Sequence, residues 1–503
     1  MSVMMVVLVI MPLATTLVCL RAPHRVAAMV TALTGIVSFV LAVALVPAAL
    51  DHTLTALHYL RADSLSLIFV LGTTFLYATV GIYSVGYLAD EERAVRSGPA
   101  EGQALFARHS ARFYVGLNAF AWSMICAPLV NGLALLWIAV EITTVISALL
   151  VALDNTEGAT EAAWKYVLIA SSGLGIGLLA TIFMYYAGAQ VLGQSYDLAF
   201  DPLIRAAAQS PHTPVRLAFV LAVVGYGTKV GFFPVHTWLP DAHAEAPTPV
   251  SALLSGSLLA VSFYAILRYY QITVASLGPR FPQTVLLVFG VLSLLLAALY
   301  LLEQRDIKRL LAYSSVEHMG ILAIGMSFGV PIALSGVLLH VLAHAAAKGN
   351  AFMGAGVLVR KFGTKELARM ADGIGVLPWS GPLFLIAVLA LSAMPPFGLF
   401  RSEFQIVSGG FSHPRNAAAA ALVCLVTLAF LGLTLATTRI LFRPRPIDLT
   451  AAEPSQIRGE PNRWMVTPVI AGVLVLLVLG LAPPSDLVSL LNHGASELAV
   501  GSR

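Results

Sequence analysis

The run HVLAHAAAKGNAF places His340, His344 and Lys348 at i, i+4 and i+8. On a helix, that spacing puts three protonatable groups on one face. Histidine exchanges protons near neutral pH. A buried lysine can do the same, because desolvation weakens its hold on a proton and a nearby carboxylate restores it. Carboxylates stand in similar settings: Glu141 inside LLWIAVEITTVISALL, Glu317 beside His318 in AYSSVEHMG, and Glu403 near Arg401 in LSAMPPFGLFRSEF. A second lysine, Lys229, opens KVGFFPVHTWLPDAHAEAPTPVSALLSG, which also carries His236, Asp241, His243 and Glu245. An alternating series of Glu, Lys, His, Lys and Glu is suited to passing protons from group to group.

Each of these residues also has a static reading. His318 alone reads as a hydrogen-bonded structural histidine. Asp241, His243 and Glu245 read equally as a solvated helix cap, and Glu141 with Lys229 as a salt bridge locking two helices. The surroundings favour function for that pair, because ions inside hydrocarbon are costly and mark working sites. His236 and His243 invite zinc, but no compact ligand set accompanies them, so no metal is expected. There is no GxGxxG or phosphate-binding loop. Cys19, Cys126 and Cys424 lie in or beside apolar stretches without CxxC spacing, as small buried hydrophobes. No cofactor and no catalytic site are therefore expected in this chain, and no nucleic acid as partner.

Of the 503 residues, 58% are hydrophobic and 11% charged. A soluble domain carries about 25% charge. The composition specifies an all-α polytopic membrane protein embedded in a lipid bilayer. At about 20 apolar residues per crossing, fourteen spans are expected: 3–20, 26–50, 63–87, 113–129, 131–152, 164–187, 216–239, 249–271, 282–302, 311–328, 331–359, 381–408, 416–442 and 466–483. Nineteen of the 29 Lys and Arg fall in connections after odd-numbered spans or, for Lys165 and Arg439, at the span ends beside them. Those connections are expected in the cytoplasm and both termini on the outer, periplasmic side of an inner or plasma membrane. Residues 88–112 and 188–215 are expected as solvated or interfacial segments, and the tail from Asp486 as an amphipathic helix on the outer face.

Span seven carries Pro234 and Pro240, and span twelve carries Pro395 and Pro396, so both are expected to break. Matched breaks five spans apart suggest two inverted five-helix repeats, spans four to eight and nine to thirteen, with ion sites at the breaks. The chain then divides into an N-terminal part (1–112), a first half (113–271), a second half (282–442), and a loop, span and tail (443–503).

The segment FFPVHTWLPDAHAEAPTPVSALLSG resembles the hallmark of the antiporter-like, proton-conducting subunits of respiratory NADH:quinone oxidoreductase, membrane-bound hydrogenases and multi-subunit Na+/H+ antiporters. Within that family, VEITTVISALLVAL, EAAWKYVLIASSGLGIGLLATI, YSSVEHMGI and PPFGLFRSEF are most similar to component F of hydrogenase-4-type complexes. The resemblance implies that Glu141 and Lys229 couple the first half-channel. His340, His344 and Lys348 would connect to the second, and Glu403 would end it. It also implies H+ (or Na+) as the transported ion, other membrane subunits and a peripheral redox arm as partners, and nickel–iron and iron–sulfur centres in those partners. The expected function is a proton-translocating membrane subunit of an energy-converting redox complex of membrane-bound hydrogenase or hydrogenase-like type. The alternatives are an NADH–quinone oxidoreductase subunit, a transport-only subunit of an Na+/H+ antiporter or bicarbonate-uptake complex, and a static scaffold that keeps the fold without conducting. One departure stands out: where the quinone reductase subunits usually have Lys or His in span eight, LLSGSLLAVSFY has Ala260. Water or a hydroxyl from Ser255, Ser257, Ser262 or Tyr264 is expected in its place.

Overall fold

A computed structural model of the protein describes residues 1–96, 99–412, 416–444 and 458–499. Arg415, Arg445 and Arg503, three of the charges used for orientation, lie outside the described residues. Among the described residues, helices lie at all fourteen expected span positions, and ten of them are long and apolar enough to cross a membrane by themselves. The remaining four positions are Ala100–Leu129, Ile307–Phe328 and the two interrupted spans, seven and twelve. Large apolar side chains such as Leu33, Leu149, Leu168 and Phe404 face outward, as a surface that meets lipid requires.

Hydropathy places the helix ends least well. Span four begins at Ala100, thirteen residues before the expected start, and span six runs from Glu157 to Leu192. Backbone hydrogen bonds propagate past the hydrocarbon edge, where water accepts Arg108 and Arg112, so these helices outrun their apolar cores. Within the expected segment 88–112, Ala89–Arg96 form a separate helix and the residues from Ala100 onward belong to the helix of span four. The connection after span two forms a small antiparallel hairpin, Leu54–Ala56 with Leu60–Ala62.

Span seven comprises His212–Val230 and Trp238–Glu245, and span twelve Ser380–Leu391 and Gly398–Phe411. The first break opens at Gly231, whose φ of 85° suits glycine, and it contains Pro234. Pro240, expected as a second interruption, instead sits in the first turn of Trp238–Glu245, where a missing N–H breaks no internal bond. Pro395 and Pro396 lie in the gap of span twelve. Freed backbone groups find partners across helices: Trp238 Nε1 donates to Thr228 O at 2.6 Å, and Phe233 N donates to Ser293 Oγ of span nine at 3.0 Å.

The expected tail helix forms as Ser485–Ala499 and packs against spans three and eleven. Span eight is continuous from Thr248 to Leu277 but widens into a π-turn at Leu254–Leu258. Such turns often mark functional sites in membrane helices.

Candidate functional site

Lys229 is fully buried at the end of the first half of span seven. Its ammonium donates to Thr143 Oγ1 and Thr144 Oγ1, each at 2.8 Å, and lies 5.6 Å from the centre of the Tyr166 ring. Both threonines come from EITT on span five (Leu133–Val151), directly after Glu141. Glu141 turns to span six instead, where Ser171 Oγ donates to its Oε1 at 3.1 Å, while its Oε2 has no hydrogen-bond partner in the protein. Lysine and carboxylate are thus neighbours on adjoining turns without being an ion pair within 4 Å. A static salt bridge does not describe this arrangement. Close helix crossing makes it possible: a Cβ at Gly225 of span seven would come 2.5 Å from Gly177 N of span six. Small residues let membrane helices approach this closely.

Span eleven, Pro331–Phe362, is unbroken and carries His340, His344 and Lys348 along one buried face, as its spacing requires. Lys348 donates to Leu311 O at 2.8 Å and to Ser314 Oγ, both on span ten (Ile307–Phe328). His344 is buried, and neither of its ring nitrogens has a partner in the protein. His340 Nε2 meets His318 Nδ1 at 3.1 Å, and His340 Nδ1 meets Ser402 Oγ at 3.0 Å. Glu403 Oε1 lies 4.0 Å from His318 Nδ1 and forms part of the wall of a mostly apolar cavity of about 340 Å³ between spans twelve and thirteen. Glu317 is buried beside this row, with Oε2 unpartnered.

At Ala260 the structure offers hydroxyls on the preceding turns. Ser255 Oγ and Ser315 Oγ lie 2.7 Å apart, Ser315 donates to Leu311 O at 3.2 Å, and Lys348 bonds the same carbonyl. Span eight is thereby joined by hydrogen bonds to Lys348. Ser257 bonds Thr73 of span three, while Ser262 turns back to Leu258 O. The π-turn also brings span eight against span eleven, since a Cβ at Gly256 would lie 3.2 Å from Ala345 O, next to His344.

Other expected residues fall outside this row. Asp241 pairs with Arg309 and Lys165, and Glu245 with Lys365, as a partly exposed cap on the lysine- and arginine-rich face. His243 bonds Leu239 O of its own helix at 2.7 Å, and His236 lies in the break of span seven. Arg401 reaches Gly480 O of span fourteen at 3.4 Å and is not paired with Glu403. Cys424 is exposed on span thirteen, contrary to the expectation of burial.

A charged cluster on the opposite face escaped the sequence reading. Arg268, buried in span eight, grips both carboxylate oxygens of Asp63 at 2.7 and 2.8 Å, and Arg61 bonds Asp63 and Asp201. Glu497 of the tail helix accepts the amides of Ser64 and Leu65 at 3.2 and 3.4 Å. Burial, with Asp63 close by, pushes the Glu497 carboxyl up to about 8. The visible signal was Tyr264, Arg268 and Gln271, polar residues at helical spacing inside an apolar run.

Residues 130–429 match the protein family described as NADH:quinone oxidoreductase/Mrp antiporter, transmembrane. A hydrogenase-4 component F homolog of Methylacidiphilum infernorum is 33% identical over 439 residues, covering 86% of this chain and 88% of that protein. The fold is similar to a chain of the Mrp complex from Dietzia sp. DQ12-45-1b, with a TM-score of 0.79 at 19% identity over 99% of this chain and 98% of that one. It is also similar to a chain of the membrane-bound sulfane sulfur reductase, an archaeal respiratory membrane complex, with a TM-score of 0.80 at 17% identity over 98% and 97%.

Proposed function

Because the chain belongs to the NADH:quinone oxidoreductase/Mrp antiporter transmembrane family, we propose that it moves protons through the membrane for an energy-converting redox complex of membrane-bound hydrogenase type. It is a multi-pass, antiporter-like membrane subunit of the kind found in hydrogenase, NADH:quinone oxidoreductase and Mrp complexes. The observation that carries the proposal is Lys229, a buried ammonium held by two hydroxyls and an aromatic face, with Glu141 close by but turned away. An ammonium facing a carboxylate keeps its proton; one left with hydroxyls gives it up more readily. Swinging Glu141 between Ser171 and Lys229 would load and unload the lysine.

From Lys229 the route runs past Ser255 and Ser315 to Lys348, then by His344, His318 and His340 to Glu403, with Glu317 beside it. The unpartnered polar atoms of Glu141, Glu317 and His344 are groups that water can join. Spans four to eight and nine to thirteen act as the two halves of this path, and Asp241, Glu245 and their basic partners form its cytoplasmic mouth. The hydrogenase assignment rests on the relative at 33% identity. On this reading nickel–iron and iron–sulfur centres would belong to partner chains, where electron transfer would drive the cycle. Mass spectrometry of the intact solubilised complex tests that part: metal-cluster subunits should co-purify.

Proton uptake in proteoliposomes tests the site. Glu141→Gln and Lys229→Ala should each keep complex yield while abolishing most redox-driven uptake. A purely structural role would instead show as lost assembly, since breaking a buried charge interaction costs about 3–5 kcal/mol. Normal yield with normal uptake in both variants would remove the pair from the mechanism.

A further inference from the structure

We propose that His318, His340 and Glu403 form a binding site for a divalent transition-metal ion of the zinc class, which on binding clamps spans ten, eleven and twelve together. The three side chains come from three helices, and their ligand atoms all lie within 4.8 Å of one another. His318 Nδ1 is 3.1 Å from His340 Nε2 and 4.0 Å from Glu403 Oε1. Zinc bonds nitrogen and carboxylate oxygen at about 2.0–2.2 Å in a tetrahedron, which sets ligand atoms about 3.3–3.5 Å apart. These two separations bracket the required value, and the third, within 4.8 Å, closes to it by about 1.4 Å or less, shared between the two side chains.

The hydrogen-bond pattern around His340 already orients it as a ligand. Ser402 Oγ donates its own hydrogen to Leu399 O at 2.8 Å, so toward His340 Nδ1 it is an acceptor, and Nδ1 carries the ring hydrogen. That leaves the Nε2 lone pair aimed at His318. A metal-bound histidine is commonly fixed in this way, with its other nitrogen donating to an oxygen behind it. The ion would take the place of the hydrogen now shared between the two rings, and that hydrogen is transferred to His318 Nε2, which has no hydrogen-bond partner in the protein, so that both imidazoles stay neutral. Two neutral imidazoles, one carboxylate and a water make a suitable set for a borderline metal. The Glu403 side chain is 13% exposed, against 1% for His318. It is the ligand that faces the cavity between spans twelve and thirteen, which leaves room beside it for a small fourth ligand such as a water brought in with the ion.

The site shares three residues with the proton path proposed above, but binding is read without turnover, so either idea can fail alone. The full chain in lipid nanodiscs, stripped of metal, is titrated with Co2+, which shares zinc's ligand preferences and absorbs visible light. One Co2+ per chain with intense tetrahedral bands, displaced by Zn2+, is expected. Glu403→Gln and His340→Gln should each weaken binding at least ~10-fold, and Ser402→Ala by about 10–100-fold through loss of the support behind His340. Glu403→His should retain binding and shift the bands, because a nitrogen replaces an oxygen. Absence of tetrahedral bands in the wild type overturns the proposal. So do bands that Glu403→His leaves unshifted, a comparison that holds even if the glutamine variants do not fold. Loss of the bands in His236→Gln would place the metal elsewhere and overturn it too.

Discussion

Ser255 and Ser315 share a hydrogen bond at the position where a titratable side chain is missing from span eight. Hydroxyls can relay a proton without holding one, which suits a step between two lysines. Ser255→Ala removes one hydroxyl, while Ser315 keeps its bond to Leu311 O, so the fold should lose only about 1 kcal/mol. The initial rate of proton uptake in proteoliposomes should fall roughly ten-fold, equivalent to about 1.4 kcal/mol on the barrier. Ser255→Thr should recover most of it. An unchanged rate in Ser255→Ala would show that protons cross from Lys229 by another way.

At the scale of elements, the position of Lys229 depends on how closely span seven crosses span six. Gly225→Val would drive a side chain into the Gly177 backbone. Overpacking of this kind costs typically 1–3 kcal/mol, so thermal melts of the complex should shift down and proton uptake should fall with them. A melt unchanged from wild type would mean that the crossing has slack. The tail helix Ser485–Ala499 offers a pH test. Its Glu497 carboxyl sits at about 8 when docked, against an ordinary value of 4.5. The docked state therefore binds more protons than the released state between those values, and docking weakens as pH rises from about 4.5 to about 8. Hydrogen exchange of amides 485–499, corrected for intrinsic rates, should show more protection at pH 5 than at pH 8. Glu497→Gln should flatten that dependence, and a flat wild-type profile would contradict it.

For the whole molecule, the orientation matters because it decides which mouth takes up protons. Lys308, Arg309, Lys365 and the pairs they make lie on the basic face, which we propose, from the charge bias, to be the cytoplasmic one. Single cysteines introduced at Ser2 and at Ser485 into a cysteine-free chain should both react with a membrane-impermeant maleimide added outside intact cells. Labelling of either only after lysis would invert the path or remove a span from the count.

The membrane class, the helices at the expected span positions, the two breaks and the shared face of His340, His344 and Lys348 were all legible in the sequence. Each follows from apolar length, from the missing N–H of proline, or from a helical period, and these are local properties of the chain. What a side chain meets on another helix is not local. That Lys229 rests on Thr143 and Thr144, that Ser402 backs His340, and that His318 and Glu403 converge on it from two other helices depends on crossing angles and on where glycines permit contact. The same limit explains Arg268, whose partner no local pattern in span eight reveals. Only the packing of span eight against the start of span three gives it Asp63, 205 residues away in sequence. The tertiary structure also decided that Ser255 meets Ser315 of span ten, because a π-turn changes which hydroxyls face a neighbour without leaving a mark in hydropathy.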